Sequence, residues 1–233
     1  MAGIIVQLIA SWIIVWIFEK GSLSFLGLKP TGKRLKYFLL LFSITAASCA
    51  SGFLLRIYAA DEPWQLNPNI SLNQVLEGIW WNLKSVLFEE LIFRGVLLYI
   101  LIKKINAKIA IVISAVSFGI YHWFSLGVFG NGMQMLIVFI ATGTMGLLLA
   151  YAYAKTFSLY FPIAIHLGWN LTQIFIFSQG PIGNGIFMQA TQQPFRTDSY
   201  LLYAAITFVP MILALLINFF ILRKYKQVVP LST

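Results

Sequence analysis

Long apolar runs separated by short polar segments make up most of this chain of 233 residues. Seven of these runs approach the ~20 residues that a helix needs to cross the hydrocarbon core of a bilayer. The pattern predicts transmembrane helices at residues 4–18, 37–55, 83–102, 109–124, 133–154, 159–177 and 200–222. We therefore expect an all-α fold, a polytopic membrane helical bundle with about seven transmembrane helices.

The composition agrees with a membrane protein. Hydrophobic residues account for 60% of the chain and charged residues for 10%, with a mean hydropathy of +0.85, which is more apolar surface than a soluble fold of this size could bury. Because the polar connections are short, we predict one integral membrane domain over residues 1–233, surrounded by the lipid bilayer. The net charge of +9 comes from basic residues at the ends of apolar runs, a pattern that argues against nucleic acid as a partner.

The basic residues also predict how the chain crosses the membrane. Alternating spans place the segments after the first, third, fifth and last apolar runs on one side, and these segments hold most of the positive charge. The opposite side holds Arg56 and Arg196, in or beside predicted external loops at residues 61–73 and 179–199. The positive-inside rule then puts the N-terminus outside and the C-terminus in the cytoplasm, in what we expect to be a bacterial cytoplasmic membrane. The residues on the basic side are Lys20, Lys29, Lys33, Arg34, Lys36, Lys103, Lys104, Lys108, Lys155, Arg223, Lys224 and Lys226.

Several ionisable residues lie inside the apolar runs. Glu89 and Glu90 are adjacent within the run 83–102, Arg94 follows four residues later, and His122 and His166 fall in two other runs. A charged side chain near the centre of a bilayer costs at least ~2.5–3.5 kcal/mol, so such groups usually face the protein interior and mark a functional site. We therefore predict that these residues form one buried site.

Counting along the helices supports this prediction. At 1.5 Å per residue, Glu89 lies ~21 Å from Lys103, His122 ~21 Å from Lys108, and Asn170 ~22 Å from Lys155. His166 lies ~16 Å from Lys155 on the same count. The acid, the histidines and the asparagine are therefore expected at similar depths in the membrane.

Spacing within each run suggests a role for each residue. Residues four apart share a face of a helix, so Glu90 can pair with Arg94 while Glu89 points elsewhere. His166 and Asn170 are also four apart and could direct hydrogen-bond donors to one point, as an oxyanion requires. His122 could hold a water molecule against Glu89, which would act as a general base. These are the parts of a hydrolase that needs no serine or cysteine nucleophile.

Three motifs carry a family resemblance. Glu89-Glu90-x-x-x-Arg94, Phe118-x-x-x-His122 and His166-x-x-x-Asn170 resemble those of the CAAX-protease and bacteriocin-processing (CPBP, or Abi) family of intramembrane proteases. Segments 25–29 and 143–162 are similar to the family as well, so the resemblance covers about residues 25–177. It implies that Glu89 and His122 activate a water, that His166 and Asn170 form an oxyanion hole, and that Glu90 with Arg94 supports the site.

Zinc chemistry is the nearest alternative. Glu89, His122 and His166 would make a set of two histidines and one carboxylate, with water as the fourth ligand. However, the chain has no His-Glu-x-x-His motif, and these ligands would come from three separate helices. We therefore expect no metal or other cofactor, with zinc as the less favoured alternative.

A protein without enzymatic activity could use the same residues differently. In an immunity protein, another scaffold or a transporter, the buried polar cluster would serve as a structural core or as an ion path. The sequence shows no pair of glycine- or proline-broken runs in two matching halves, which argues against a carrier. The family resemblance instead implies an endopeptidase acting on a peptide or a membrane-anchored protein.

Overall fold

The computed structural model describes residues 2–183, 185–190 and 197–226, and Arg196 lies outside this part of the chain. Two short strands, β1 (Trp64–Leu66) and β2 (Phe187–Gln189), pair antiparallel within the two predicted loops. Apart from this pair, the regular structure of the described residues is helical, so the all-α class is confirmed. The helices are α1 (Ala2–Glu19), α2 (Gly32–Ala59), α3 (Leu72–Phe93), α4 (Val96–Lys104), α5 (Ala107–Ser125), α6 (Gly132–Thr156), α7 (Tyr160–Asn170) and α8 (Tyr200–Lys224), with a 3₁₀ turn at Leu23–Leu26 and a π-helical turn at Leu171–Ile176.

Among the described residues, five helices are long and apolar enough to cross a membrane: α1, α2, α5, α6 and α8. Large apolar side chains on these helices, such as Trp16, Leu54 and Phe220, are about half exposed, as expected of surfaces that face lipid. The prediction of an integral membrane protein is therefore confirmed.

The prediction of a single continuous helix at 83–102 is wrong. Helix α3 begins eleven residues earlier, at Leu72, and ends at Phe93, while α4 starts at Val96. The chain breaks at Arg94 and Gly95, where a Cβ on Gly95 would collide with the carbonyl oxygen of Leu91. Apolar residues continue on both sides of the break, so the hydrophobic pattern did not reveal it. The depth counted from Lys103 to Glu89 assumed a straight helix and therefore no longer holds.

The chain forms two compact units, and the prediction of one domain over 1–233 stays a prediction. The first unit consists of Met1–Leu35, Leu87–Ile163 and Phe219–Thr233. In it, the segment after α1 packs against the end of α6, where the hydroxyl of Tyr153 donates to the carbonyl of Phe25 at 3.0 Å and that of Ser158 to Gly27 at 2.8 Å. Gly27 has a φ of 60° and leaves no space for a side chain beside Phe157. Two segments that carry the family resemblance thus pack together.

The second unit consists of Lys36–Val86 and Ala164–Asn218. Aromatic rings form much of its core: Phe53 stacks on Phe177 with 4.1 Å between ring centroids, and Trp64 on β1 meets both rings edge-on. The β1–β2 pair is thereby anchored to the end of α2. Gly168 on α7 lies against the backbone of Phe42, so α7 approaches α2 closely.

Candidate active site

Glu90 and Arg94 form a buried ion pair in the first unit. The Oε1 atom of Glu90 lies 3.1 Å from Nη1 of Arg94, and both side chains are fully buried. Arg94 also donates from Nη2 to the carbonyl of Gly146 at 3.3 Å, and its guanidinium carbon lies 4.1 Å from the centre of the Phe118 ring. Each charge is thus compensated inside the protein, which is the condition for burying an ion pair.

Close packing of α5 and α6 makes the contact between Arg94 and α6 possible. A Cβ on Gly146 would lie 3.1 Å from Phe118 and 3.2 Å from the Cα of Ala115, so these helices meet through a glycine. Small residues commonly bring membrane helices this close. Ser114 also joins α5 to the end of α3 by donating to the carbonyl of Phe93 at 2.8 Å.

Glu89 faces His122 across a short gap. Its Oε2 atom lies 3.9 Å from Nε2 of His122, and the two side chains are 12% and 14% exposed. This distance is too long for a direct hydrogen bond. A water molecule could bridge the two atoms. The sequence separates the two residues by 33 positions, and it is the packing of α3 against α5 that brings them together.

The hydrogen bond on the other side of the His122 ring fixes its tautomer. Nδ1 lies 2.8 Å from the carbonyl oxygen of Phe118. A carbonyl can only accept, so Nδ1 carries the hydrogen, and in the neutral ring Nε2 presents its lone pair toward Glu89. Sequence reasoning gave no role to this carbonyl, although the spacing of four residues between Phe118 and His122 is the signal that could have indicated it.

His166 and Asn170 lie on one face of α7, in the second unit. Asn170 Nδ2 is 3.2 Å from Nε2 of His166. The amide therefore donates to this ring nitrogen when the neutral imidazole carries its hydrogen on Nδ1. His166 is buried and Asn170 is half-buried. The amide group has two hydrogens, so Asn170 keeps a second donor for another partner.

The helix changes pitch directly after Asn170. The π-helical turn begins at Leu171, and Trp169 donates from Nε1 to the side-chain oxygen of Gln173 at 2.7 Å across its start. Single π-turns are rare and occur frequently at functional sites. Nothing in the hydrophobic pattern of the sequence indicated this change.

The donor atoms of Glu89 and His122 also suit a metal such as zinc. A carboxylate oxygen and an imidazole nitrogen whose other N–H is bonded to a carbonyl are common metal ligands. Within the described part of the first unit, no third His, Cys, Asp or Glu joins them in a metal-holding group. Glu89 and His122 alone therefore do not make up the set of three protein ligands expected of a catalytic zinc site.

Comparisons with known proteins agree with the class of protein that the fold and these motifs indicate, a membrane-embedded peptidase. A family model described as "Type II CAAX prenyl endopeptidase Rce1-like" matches residues 71–172, which include all three motifs. The "Putative membrane peptidase YdiL" of Bacillus subtilis (strain 168) is 28% identical over 189 residues, covering 81% of this chain and 72% of its own. No solved structure matches the chain. The chain is therefore similar, over its motif-bearing region, to the CAAX-protease and bacteriocin-processing family of membrane proteases.

Proposed function

We propose that this protein is an intramembrane endopeptidase that hydrolyses peptide bonds with a water activated by Glu89. The geometry between Glu89 and His122 is the observation that carries the proposal. Two acceptor atoms 3.9 Å apart, with the other ring nitrogen occupied by Phe118, suit a water that donates one hydrogen to each. Such a water could lie about 2.8 Å from both atoms, an ordinary hydrogen-bond length.

In the proposed reaction, the water oxygen attacks the carbonyl carbon of the scissile peptide bond. Glu89 accepts a proton from the water and later delivers it to the nitrogen of the leaving amine as the C–N bond breaks. His122 orients the water through its Nε2 lone pair. The products are a new carboxyl terminus and a new amine, and no covalent enzyme intermediate forms.

His166 and Asn170 are proposed to stabilise the oxyanion that develops on the peptide carbonyl. The second N–H of Asn170 is the donor that its bond to His166 leaves for this purpose. The support for this role is the family motif together with the hydrogen bond that orders the two side chains. Glu90 and Arg94 are proposed to hold the end of α3, and with it Glu89, in position.

We propose a peptide or a membrane-anchored protein as the substrate. The matching family model is described as a type II CAAX prenyl endopeptidase, and this similarity supports cleavage of peptides within or near the bilayer. The charge distribution supports a topology with the N-terminus outside and the C-terminus cytoplasmic. Reporter enzymes fused to each end, active only on one side of the membrane, test this orientation.

Comparing the membrane peptidomes of cells that carry the natural protein or Glu89→Gln tests the proposal and identifies substrates. We expect cleavage products that depend on the protein to disappear in the variant. Glu77→Gln is the matched control, because it makes the same change at an exposed position on α3. Identical peptidomes at equal expression would favour a non-enzymatic immunity protein, scaffold or transporter.

Zinc dependence is the second candidate mechanism, and the donor atoms of Glu89 and His122 are the observation that favours it. A glutamate-dependent enzyme is expected to keep its activity after exhaustive chelation and to purify without stoichiometric zinc. Loss of activity on chelation, restored by zinc alone, would establish the metal mechanism instead.

A further inference from the structure

The second unit contains a cavity of about 260 Å³ that the proposed chemistry does not use. It lies among α2, α8, the end of α7 and the π-helical turn. Its lining is mostly apolar and aromatic, with one basic group. The lining residues on α2 are Cys49, Gly52, Phe53 and Arg56, those beside Asn170 are Trp169 and Gln173, and those on α8 are Tyr203, Ile206, Thr207 and Pro210.

The polarity of this cavity changes along the helices that line it. Arg56 and Tyr203 lie near helix ends, three residues from the C-terminus of α2 and from the N-terminus of α8 respectively. Cys49 and Pro210 lie seven residues further into these helices, about 10 Å deeper at 1.5 Å per residue. Both helices are candidate membrane spans. The cavity therefore runs from a polar helix end into the apolar interior of the membrane, as a lipid does.

Gln173 presents hydrogen-bond donors that its neighbours do not use. The indole of Trp169 can only donate, so the hydrogen bond between them requires the Gln173 side-chain oxygen to face it. The amide nitrogen is thereby directed away, and no described residue accepts a hydrogen bond from it.

The other polar groups restrict what kind of molecule can fit. Arg56 has only donors; it binds Glu62 at 2.7 Å from Nη2, which compensates its charge. The hydroxyl of Thr207 gives its hydrogen to the carbonyl of Tyr203 at 2.8 Å. A peptide would bring backbone N–H groups that need acceptors, and burying them without partners is unfavourable. A molecule with an apolar body and acceptor atoms at one end is the better match.

We propose that this cavity binds a phospholipid of the surrounding bilayer. One acyl chain lies along Phe53, Ile206 and Pro210, and the ester carbonyl and phosphate oxygens accept from Gln173 and Arg56. The ester and phosphate oxygens carry no hydrogens and can only accept. They therefore complement the donors of the cavity and add no buried donor that would need its own partner. Because Glu62 already compensates Arg56, the site binds zwitterionic phospholipids as well as anionic ones.

Photo-crosslinking in vesicles tests this proposal independently of any proteolysis. The protein is reconstituted with phosphatidylcholine carrying a diazirine in its acyl chain, irradiated, digested and analysed by mass spectrometry. We expect crosslinks at the cavity wall of α2, around Cys49 and Phe53, in addition to the outward side of α8 at residues such as Ile212 and Phe220. The outward crosslinks report ordinary contact with lipid and serve as the internal reference.

Two variants of neighbouring residues separate binding in the cavity from general lipid contact. Thr207→Trp places a bulky ring in the cavity and is expected to lower the α2 crosslinks about tenfold relative to the outward ones. Phe208→Trp is the matched control, since Phe208 is 59% exposed, does not line the cavity and should leave both sets unchanged. Elution volume on size exclusion confirms that both variants fold.

Gln173→Leu tests the hydrogen bond directly. It keeps most of the side-chain volume and removes the donors. Native mass spectrometry measures the ratio of lipid-bound to lipid-free protein after purification, and this ratio should fall about fivefold. Unchanged α2 crosslinks in Thr207→Trp, or full lipid retention in Gln173→Leu, would overturn the proposal. So would labelling of the α2 wall by a photoreactive peptide that phospholipid does not displace.

Discussion

Glu89 and Glu90 are adjacent carboxylates with different surroundings. Glu90 is fully buried against Arg94, while Glu89 faces His122 at 3.9 Å and remains partly exposed. The spacing of four residues predicted the Glu90–Arg94 pair, and that pair is present. The hydrogen bond from His122 to the Phe118 carbonyl could not be read from composition, although it lies within a single helix.

His122→Gln should slow peptide cleavage by about 10²–10⁴-fold, the usual contribution of a positioned acid–base group. Glutamine fills similar space but does not present the imidazole nitrogen that we propose orients the water. Product formation by the reconstituted protein checks the rate, and thermal unfolding checks the fold. A variant that cleaves at the natural rate would remove His122 from the mechanism.

Replacing either partner of the buried pair should destabilise the protein strongly. Glu90→Leu leaves Arg94 as an uncompensated buried charge, and the expected loss is about 3–5 kcal/mol in the free energy of unfolding. Adding Arg94→Met should recover much of this loss, because no charge then remains. Unfolding in detergent or lipid measures all three proteins, and a double variant no more stable than the single one would contradict the assignment.

The helices themselves were largely predictable from the sequence, but their interruptions were not. Apolar runs of suitable length located α1, α2, α5, α6 and α8 within a few residues. The break at Arg94 and Gly95 depends on a local backbone approach to Leu91, and it lies within an uninterrupted apolar run. The pairing of β1 with β2 joins loops more than a hundred residues apart, which no local pattern indicates.

Two glycines on α6 provide a matched test of helix packing. Gly146→Ala should destabilise the protein by about 1–3 kcal/mol, because the new Cβ would press on Phe118 and Ala115 at 3.1–3.2 Å. Gly143→Ala should be neutral or stabilising by up to about 1 kcal/mol, since its Cβ would meet the Ala115 carbonyl at an ordinary 3.8 Å. Equal effects in thermal unfolding would show that close packing at Gly146 is not the cause.

Acid should loosen the connection between α2 and the β1–β2 pair. Burial acts to raise the pKa of Glu62, but hydrogen bonds from Arg56, Trp64 and Gln189 together with the Arg56 charge outweigh it and leave the pKa below its ordinary value. The stabilisation is therefore present above the unfolded pKa, about 4.3, and is lost as the pH falls through the lower folded value. The difference in Tm between the natural protein and Glu62→Gln should be largest near neutral pH and shrink below about pH 4. A difference that grows with acid would contradict this sign.

For the whole molecule, the membrane character and the similarity to a protease family followed from the sequence, whereas its division into two compact units did not. Composition and the order of the motifs can be read directly from the sequence, so they were sufficient to indicate the class of protein. The motif residues Glu89, Glu90, Arg94 and His122 belong to the first unit, and His166 and Asn170 belong to the second. The roles of these six residues stay proposals, and the most informative experiments act on them directly.

Cleavage by the purified protein in lipid vesicles tests the central claim most directly. The substrate is a peptide identified from the membrane peptidome, and the proteins compared are the natural one, Glu89→Gln and Glu77→Gln. We predict cleavage by the natural protein and Glu77→Gln, and loss of at least about 10³-fold for Glu89→Gln with its unfolding temperature retained. Cleavage by folded Glu89→Gln at the natural rate would contradict the account.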